Sequence, residues 1–502
     1  MAETRTEAIP KEQPTPQVAK MLPNIIGGAS VQSNSKRTLP VTAPLTGEVI
    51  ADVPLSTTTE LDAAVAAATI AQREWGALPL KDRVQVFYKM KSIVEDELEH
   101  LIDVITQENG KTRPESKGSV LRAVECIEYG ASLPQIASGR IQEVSKGVEC
   151  RTMRDAVGVV AGITPFNFPF MVPLWMIPMA IGLGNAFILK PSEQTPLSAL
   201  EIARILKESG LPDGIFSVVN GDREIVEGIC DHPGIGAVGF VGSTRVAKIV
   251  YQRGTAVGKR VRALGGAKNH LVVVPDADPE MTATNVVASV AGCAGQRCMA
   301  ASVLLAVGDS GHIIDLIKDK MSALVAGRDI GAIISNAAYD RITGYLDRVE
   351  ENGAKLILDG RNAIADDAPS GGKYLGGCII DQAKPDHEAS CDEIFGPTLT
   401  VIRCDTLEEA LDIENANPYG NAAAIYTSSG GIAQYFTGRA SAGMVGINIG
   451  VPVPREPFAF GGWNDSSFGG GDLTGDSAID FWTKSKKITS KWSDQHKSNW
   501  MS

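Results

Sequence analysis

The chain lacks the features that mark metal-binding or disulfide-stabilised proteins. Its eight cysteines are spread over 502 residues without a Cys-x-x-Cys pair, which argues against a zinc site and against a disulfide framework. Basic residues are not in excess, since 47 Lys and Arg stand against 59 Asp and Glu and leave a net charge of -12. That balance argues against nucleic acid or an anionic membrane as a partner. A reducing, cytoplasmic location is the expectation.

The N-terminal segment lacks both the apolar stretch of a secretory signal and the arginine-rich, acid-poor character of a transit peptide. Its polar, proline-containing sequence, MAETRTEAIPKEQPTPQVAK, predicts a disordered tail over residues 1–20. Disordered extensions often serve as ligands for other proteins, so a role of this tail in addressing a partner stays open.

One apolar stretch, residues 158–189, is long enough to suggest a transmembrane helix. Four prolines interrupt it, however, and Asn167 and Asn185 would lack hydrogen-bond partners in lipid. We therefore expect a buried core segment that contains a turn, and no membrane partner.

From about residue 184, short apolar runs alternate with helical segments. The runs are AFIL, IFSVVN and IGAVGFV, and the helical patterns include LSALEIARILKESG and TRVAKIVYQRG. This alternation predicts βαβ units and a parallel sheet of the nucleotide-binding type. No Gly-x-Gly-x-x-Gly fingerprint follows any of these runs, so a bound nucleotide has to be held without the usual phosphate cradle.

Two further patterns follow this first one. Apolar runs from HLVVVPDADPE, which begins at His270, to AAAIYTS and GMVGINIG predict a second α/β domain. Near the C-terminus, AIDFWTKSKKITSKW alternates apolar and polar residues from Ile479 and Phe481 to Ile488 and Trp492, which predicts an edge strand. An edge strand near a terminus is a natural oligomerisation element.

Eight short motifs occur in a fixed order: TPFNFP at 164–169, KPSE at 190–193, GFVGS at 239–243, GGAKN at 265–269, GQRC at 295–298, EIFGP at 393–397, NPYG at 417–420 and FGG at 460–462. Together they resemble the aldehyde dehydrogenase superfamily from about residue 25 to 492. CDHPGIGAVGFVGS, GKRVRALGGAKNH and AGQRCMA are most similar to the methylmalonate semialdehyde dehydrogenases, the CoA-acylating branch. The resemblance implies an α/β fold with a Rossmann-type NAD domain, an α/β catalytic domain and a β oligomerisation arm.

The resemblance also implies how the chain is divided. The NAD-binding domain is expected at residues 21–133 and 155–267, and the catalytic domain at residues 268–472. The arm is expected at residues 134–154 and 473–495, and through it the chain would form a homodimer or homotetramer.

Cys298 is the candidate nucleophile in this family pattern. Oxidation of an aldehyde needs a tetrahedral adduct that can expel hydride, and a thiolate adds well to a carbonyl. In the family, the amide of Asn167 and the backbone N–H of Cys298 bind the adduct's oxygen as it becomes negative. Asn167 is also open to a simpler interpretation, an amide that closes a turn between two prolines. A non-catalytic relative that serves as a binding or structural subunit stays an alternative.

The resemblance assigns NAD to residues outside any glycine fingerprint. Lys190 and Glu193 match the pair that binds the adenosine ribose, and Ser243 at the start of a helix matches the pyrophosphate contact. Glu393 matches the anchor of the nicotinamide ribose. A carboxylate at position 193 favours NAD over NADP because it would repel a 2′-phosphate. The full expected cofactor-binding set is Thr164, Phe166, Lys190, Glu193, Ser243, Glu393 and Phe395.

A residue that hydrolytic relatives use is missing. They carry a glutamate directly before Leu-Gly-Gly, where it activates the water that cleaves the thioester, and here that position is Ala263. Without this base water attack should be slow, whereas coenzyme A brings a competent thiol. The absence favours acyl transfer to CoA. Glu393 stays an alternative base, and a hydrolytic, CoA-independent semialdehyde dehydrogenase stays the alternative enzyme.

Two arginines match the family's ligands of a substrate carboxylate, namely Arg297 beside the nucleophile and Arg122 in GSVLRAVECIEYG. They predict malonate or methylmalonate semialdehyde as the substrate, with loss of CO2 and formation of acetyl- or propionyl-CoA. Relatives with other substrates also have Gln-Arg-Cys, and Arg122 fits a helix surface equally well. Arg455, in VPVPREPFAF, has no usual family counterpart and is expected near the substrate mouth or on the surface.

Overall fold

The computed structural model describes residues 20–351 and 353–492. Residues 1–19 of the predicted tail and residues 493–495 of the predicted arm lie outside the described part. The helices are Thr58–Ala77, Leu80–Arg83, Gln85–Asp96, Leu98–Asn109, Arg113–Ala131, Leu133–Ile136, Met171–Gly182, Leu197–Glu208, Arg223–Asp231, Thr244–Ala256, Pro279–Ala291, Gly311–Ser322, Asn336–Asp347, Glu388–Cys391, Leu407–Ala416, Gly430–Thr437 and Ala478–Phe481, with short 3-10 turns at Gly292–Gly295 and Gly360–Asn362.

The first sheet confirms the predicted parallel βαβ pattern. Its eight strands lie in the order Ala29–Val31, Asn24–Ile26, Phe216–Val218, Ala186–Lys190, Val159–Ile163, Ile235–Val241, Arg260–Leu264 and Ser467–Phe468. The five from Phe216–Val218 to Arg260–Leu264 are parallel, and the order of the chain reverses between Val159–Ile163 and Ile235–Val241. Ligands of open α/β sheets bind outside the carboxyl ends of the strands at such a reversal.

The apolar stretch at residues 158–189 forms the centre of this unit. Its strand Val159–Ile163 and its helix Met171–Gly182 are buried at every position, which confirms the predicted core segment. The helix packs closely on a neighbour, because a Cβ at Gly130 would lie 2.4 Å from the Cβ of Pro178. Over residues 20–351 and 353–492, no helix is long and apolar enough to cross a membrane.

A second sheet confirms the second α/β unit. Its seven strands lie in the order Lys355–Leu358, Cys378–Asp381, Thr398–Cys404, Ala301–Val307, Asn269–Val273, Ala422–Tyr426 and Met444–Ile447. All are parallel to their neighbours except the edge strand Lys355–Leu358. Two strand pairs stand apart, Thr38–Thr42 with Val49–Pro54 and Tyr419–Gly420 with Trp463–Asn464.

A three-stranded antiparallel sheet is formed by Ile141–Ser145, Val148–Ala156 and Thr483–Lys491, with the last at an edge as predicted. The prediction of extended structure at Ile479 and Phe481 was wrong, because these residues belong to the helical turn Ala478–Phe481. Both side chains are buried in the apolar core of the first α/β unit. Their alternate spacing therefore reflects packing in that core and not one face of a strand.

Trp482 joins this C-terminal turn to the first unit. Its side chain is fully buried, and its ring meets those of Phe187 and Phe481 edge to face at centroid distances of 6.1 and 4.6 Å. Its carbonyl oxygen accepts a hydrogen bond from Asn185 Nδ2 at 3.0 Å. The turn that precedes the third sheet is therefore anchored by aromatic packing.

Replacing Trp482 should destabilise the protein strongly. Removal of such a ring leaves a cavity, so we expect Trp482→Ala to lower the free energy of unfolding by about 3–5 kcal/mol. Trp463→Ala is the control, because that ring is 56% exposed and its loss should change stability by about 0.5 kcal/mol or less. Thermal melts followed by near-UV circular dichroism measure both. Equal midpoints for the two variants would contradict the anchoring role.

Candidate active site

A large cavity of about 1370 Å³ opens at the carboxyl ends of the first sheet's parallel strands. Its volume exceeds that of a typical small-molecule pocket and leaves room for a dinucleotide beside a substrate. Every site residue predicted from the sequence lines it, namely Arg122, Thr164, Phe166, Asn167, Lys190, Glu193, Ser243, Arg297, Cys298, Glu393 and Phe395.

Strand ends place the candidate nucleotide-binding residues. Thr164 and the turn after it follow the strand Val159–Ile163, Lys190 is the last residue of its strand, and Ser243 follows Ile235–Val241. These strands are adjacent and parallel, so their carboxyl ends meet at one edge of the sheet. The arrangement accounts for the convergence of residues that are far apart in the sequence.

Lys190 and Glu193 form an ion pair with 3.0 Å between Nζ and Oε2. Burial raises the pKa of the Glu193 carboxyl, but the Lys190 ammonium and hydrogen bonds outweigh burial and hold that pKa below its ordinary value. The carboxylate is therefore charged at neutral pH and is a strong acceptor for hydroxyl groups. Gln194, the next residue along the chain, also lines the cavity.

Ser243 occupies the N-cap position of the helix Thr244–Ala256. Within the described chain its side chain makes no capping hydrogen bond, so both its hydroxyl and the first N–H groups of the helix are available to an anion. The rings of Phe166 and Phe395, which line the same cavity, meet edge to face at a centroid distance of 5.9 Å.

The loop before Cys298 has an unusual backbone. Cys293, Ala294 and Gly295 all have positive φ, at 53°, 52° and 68°. Gly295 also lies against another chain segment, because a Cβ there would come within 2.0 Å of the Gly396 carbonyl oxygen. Only glycine fits this position, and the tight contact fixes the loop next to the segment that carries Glu393.

Hydrogen bonds from two asparagines hold the backbone of Cys298 itself. Its carbonyl oxygen accepts from Asn269 Nδ2 at 2.8 Å and from Asn421 Nδ2 at 2.9 Å. Burial raises the pKa of the Cys298 thiol to about 12, and the charge of Glu393 adds to the effect. Burial also raises the pKa of Glu393, although a hydrogen bond from the Ala267 N–H at 2.9 Å opposes it. At neutral pH the Cys298 thiol is therefore protonated.

Asn167 faces this loop. Its side-chain Nδ2 donates to the Gln296 carbonyl oxygen at 3.0 Å, and one of its two amide hydrogens remains for another acceptor. Its backbone carbonyl oxygen accepts from Lys111 Nζ, while Asn109 Nδ2 donates to the carbonyl oxygen of Phe166 at 2.7 Å. The turn is therefore fixed from the end of the helix Leu98–Asn109, and the amide is oriented before any ligand arrives.

The two candidate substrate arginines differ in how they are paired. Arg297 lies 3.9 Å from the Glu115 carboxylate, and its Nε has no hydrogen-bond partner among the described residues. Arg122 binds Glu456 through both of its terminal nitrogens, at 2.7 and 3.0 Å. Arg455 lies at the exposed rim of the cavity, as the first of its two predicted positions required.

Several site residues were not predicted from the sequence. Glu115 accepts a hydrogen bond from the Cys293 N–H, and Lys111, Asn421 and Glu456 make the contacts described above. Glu115 had a readable signal, because it is the fourth residue of the capping box that starts at Thr112. The other three make contacts that exist only in the folded chain, and no local sequence pattern indicates them.

The raised pKa of Cys298 predicts a characteristic pH profile for its alkylation. Iodoacetamide reacts with thiolate, so the rate at Cys298 should rise about tenfold per pH unit from pH 7 to pH 10. The rate should show no plateau near pH 9, where an ordinary thiol is largely ionised. Mass spectrometry of the labelled peptide measures it, with Cys298→Ser to identify the site. A plateau between pH 8 and 9 would contradict the assignment.

The site can be compared with known proteins. The Aldehyde dehydrogenase family pattern matches residues 30–488. Malonate-semialdehyde dehydrogenase 1 of Geobacillus thermodenitrificans is 41% identical over 479 residues, which are 94% of this chain and 99% of the relative. A Sinorhizobium meliloti protein solved with NAD superposes with a TM-score of 0.93 at 40% identity, covering 96% of this chain and 100% of that one. Methylmalonate-semialdehyde dehydrogenase of Oceanimonas doudoroffii superposes with a TM-score of 0.92 at 39% identity, covering 94% and 99%. The chain belongs to the aldehyde dehydrogenase family.

Proposed function

We propose that the protein oxidises malonate or methylmalonate semialdehyde with NAD and transfers the acyl group from Cys298 to coenzyme A. The observation that carries the proposal is the meeting of Cys298, Asn167 and Glu393 in one cavity. The names of the relatives from Geobacillus and Oceanimonas support the semialdehyde as substrate.

The residues present fit NAD. Glu193 offers a charged carboxylate for ribose hydroxyls, and the uncapped helix start at Ser243 suits a pyrophosphate. The Sinorhizobium relative was solved with NAD, which supports the same cofactor here. Bound NAD would supply the hydride acceptor.

The chain's own groups would act in sequence. The Cys298 thiol proton leaves toward Glu393, the carboxylate whose charge acts on this thiol. Sulfur then adds to the aldehyde carbon, and the oxygen's negative charge is bound by the remaining Asn167 amide hydrogen and the Cys298 N–H. The adduct's C–H bond breaks as hydride leaves, the carbonyl re-forms, and the acyl group remains on Cys298 as a thioester.

Release of the acyl group distinguishes the proposal from hydrolysis. The residue that would carry a water-activating carboxylate is Ala263, whose side chain is fully buried in the strand Arg260–Leu264. Coenzyme A needs no such base, because its thiolate attacks the thioester and Cys298 leaves as thiolate. A β-carboxylate leaves earlier as CO2; the electron pair of the broken C–C bond is delocalised onto the thioester carbonyl, and the resulting enolate takes a proton at carbon from solvent.

We further propose a cytoplasmic homodimer or homotetramer that assembles through the three-stranded sheet. Large apolar side chains are exposed on that sheet, with Ile141 at 68%, Val144 at 54% and Met153 at 44% exposure. Exposed apolar rows of this kind mark protein interfaces. All eight cysteines are free thiols, which suits a reducing compartment.

Loss of the Asn167 amide should affect catalysis more than folding. We expect Asn167→Ala to lower kcat by about 10²–10³, because a donor to the oxyanion is lost. Asn167→Asp, which keeps the size but carries no N–H, should lower kcat at least as much. Steady-state NADH formation measures kcat, and thermal melts check folding. A fall in kcat of less than about tenfold would remove Asn167 from the oxyanion site.

Dependence on coenzyme A tests the proposed reaction directly. NADH formation from malonate semialdehyde, methylmalonate semialdehyde and propanal is followed with and without CoA, and products are identified by mass. We expect sustained turnover only with CoA, giving acetyl- or propionyl-CoA, because Ala263 supplies no base. Equal turnover without CoA, with free acid as product, would favour the hydrolytic alternative. No NADH from any aldehyde would favour the non-catalytic one.

A further inference from the structure

Arg122, which lines the cavity, is paired with a carboxylate of the protein itself. Glu456 Oε2 lies 2.7 Å from Arg122 Nη1, and Glu456 Oε1 lies 3.0 Å from Nη2. Only 13% of the arginine side chain and 9% of the glutamate side chain are exposed. This two-point geometry is the one in which a guanidinium recognises a carboxylate ligand. Glu456 thus accepts from both terminal nitrogens of Arg122, the donors with which this guanidinium would otherwise bind a ligand carboxylate end on.

Neighbouring charges complete the pairing. Glu125 Oε2 lies 2.9 Å from Arg122 Nη1, and the same carboxylate binds Arg455 at the rim of the cavity. Arg122 and Arg455 are therefore balanced by Glu125 and Glu456, and this pair of arginines presents no uncompensated positive charge to a ligand.

Arg297 is in a different state. Its nearest carboxylate, on Glu115, lies 3.9 Å away, beyond hydrogen-bond range, and its buried Nε has no partner in the described part of the chain. Arg297 directly precedes Cys298 and lines the same cavity. The Arg297 side chain also contacts Cys293, and of the two arginines predicted to bind a carboxylate it is the one with no carboxylate in hydrogen-bond range.

We propose that Glu456 is a specificity-determining residue, which masks Arg122 and leaves recognition of a substrate carboxylate to Arg297. The inference rests on the proposed aldehyde oxidation at Cys298. Because the second arginine is already neutralised, the protein discriminates less between carboxylated and uncharged aldehydes than a site with two open arginines would. Arg122 becomes a ligand only when its partner is removed.

The charge of Glu456 can be removed with little change of shape. In Glu456→Gln the amide keeps one acceptor but carries no charge, so Arg122 and Arg455 share the single charge of Glu125 and one positive charge is left uncompensated. A carboxylated substrate would supply the missing charge, whereas an uncharged aldehyde would not. The effect should therefore fall on one class of substrate.

The test is the ratio of kcat/KM for malonate semialdehyde to kcat/KM for propanal, measured with NAD and CoA. We expect this ratio to rise about tenfold or more in Glu456→Gln, the change produced by one additional charge-assisted hydrogen-bonded pair. The double variant Arg122→Gln/Glu456→Gln should return the ratio to the wild-type value. In the wild-type background, Arg297→Gln should lower it.

Asp381→Asn is the matched control. Asp381 is also a nearly buried carboxylate paired with an arginine, 2.8 Å from Arg403, but Arg403, unlike Arg122, does not line the cavity. Asp381→Asn removes one negative charge, as Glu456→Gln does, and with it the ratio of kcat/KM values should stay at the wild-type value. A rise in this control equal to that of Glu456→Gln would overturn the proposal.

The remaining outcomes are also decisive. An unchanged or lowered ratio in folded Glu456→Gln would show that Glu456 does not mask Arg122. Should that variant not fold, Glu456→Asp retracts the carboxylate by one methylene and should raise the ratio in the same direction. If no aldehyde yields NADH, the proposed function fails, and alkylation of Cys298 by iodoacetate relative to iodoacetamide still tests the masking. The rate with iodoacetate relative to iodoacetamide should rise in Glu456→Gln, and an unchanged relative rate would contradict the proposal.

Discussion

Buried backbone near Cys298 and in the turn that faces it has to be hydrogen-bonded, and the segment from Glu108 to Glu115 supplies the partners. Glu108 accepts from two N–H groups at the start of the helix Leu197–Glu208, Lys111 donates to the carbonyl oxygen of Asn167, and Glu115 accepts from the N–H of Cys293. Unpaired groups at these depths would each cost about 1–3 kcal/mol. The segment therefore links the turn that contains Asn167, in the first α/β unit, to the loop that precedes Cys298, in the second.

The same segment has an unusual electrostatic state. Burial raises the pKa of Glu108 to about 7, although hydrogen bonds from Ser198 oppose it, and burial lowers the pKa of Lys111. Neither group lies among the residues that line the cavity, so their charges serve to hold backbone. The orientation of Asn167 depends on Lys111, because this lysine donates to the carbonyl oxygen of its peptide group. Catalytic geometry here is maintained one layer behind the residues that contact ligands.

Much of the fold and the site was predictable because strand-end chemistry is local. A strand followed by a turn places Thr164, Lys190 and Ser243 at the carboxyl edge of a parallel sheet, and each is recognisable from its neighbours in sequence. Contacts between distant positions were not predictable. Arg122 and Glu456 are separated by 334 residues, and no sequence pattern near either residue indicates that they form a pair. The helical turn at Ile479 was missed because apolar residues at alternate positions fit either one face of a strand or a buried helical turn.

The protonated state of Cys298 bears on how the protein survives between turnovers. Peroxides attack thiolates, and the resulting sulfinic or sulfonic acids are not readily reversed. Burial that raises the thiol pKa to about 12 keeps the thiolate fraction very small at neutral pH. A thiol that stays protonated in this way is a poor target for peroxides at neutral pH.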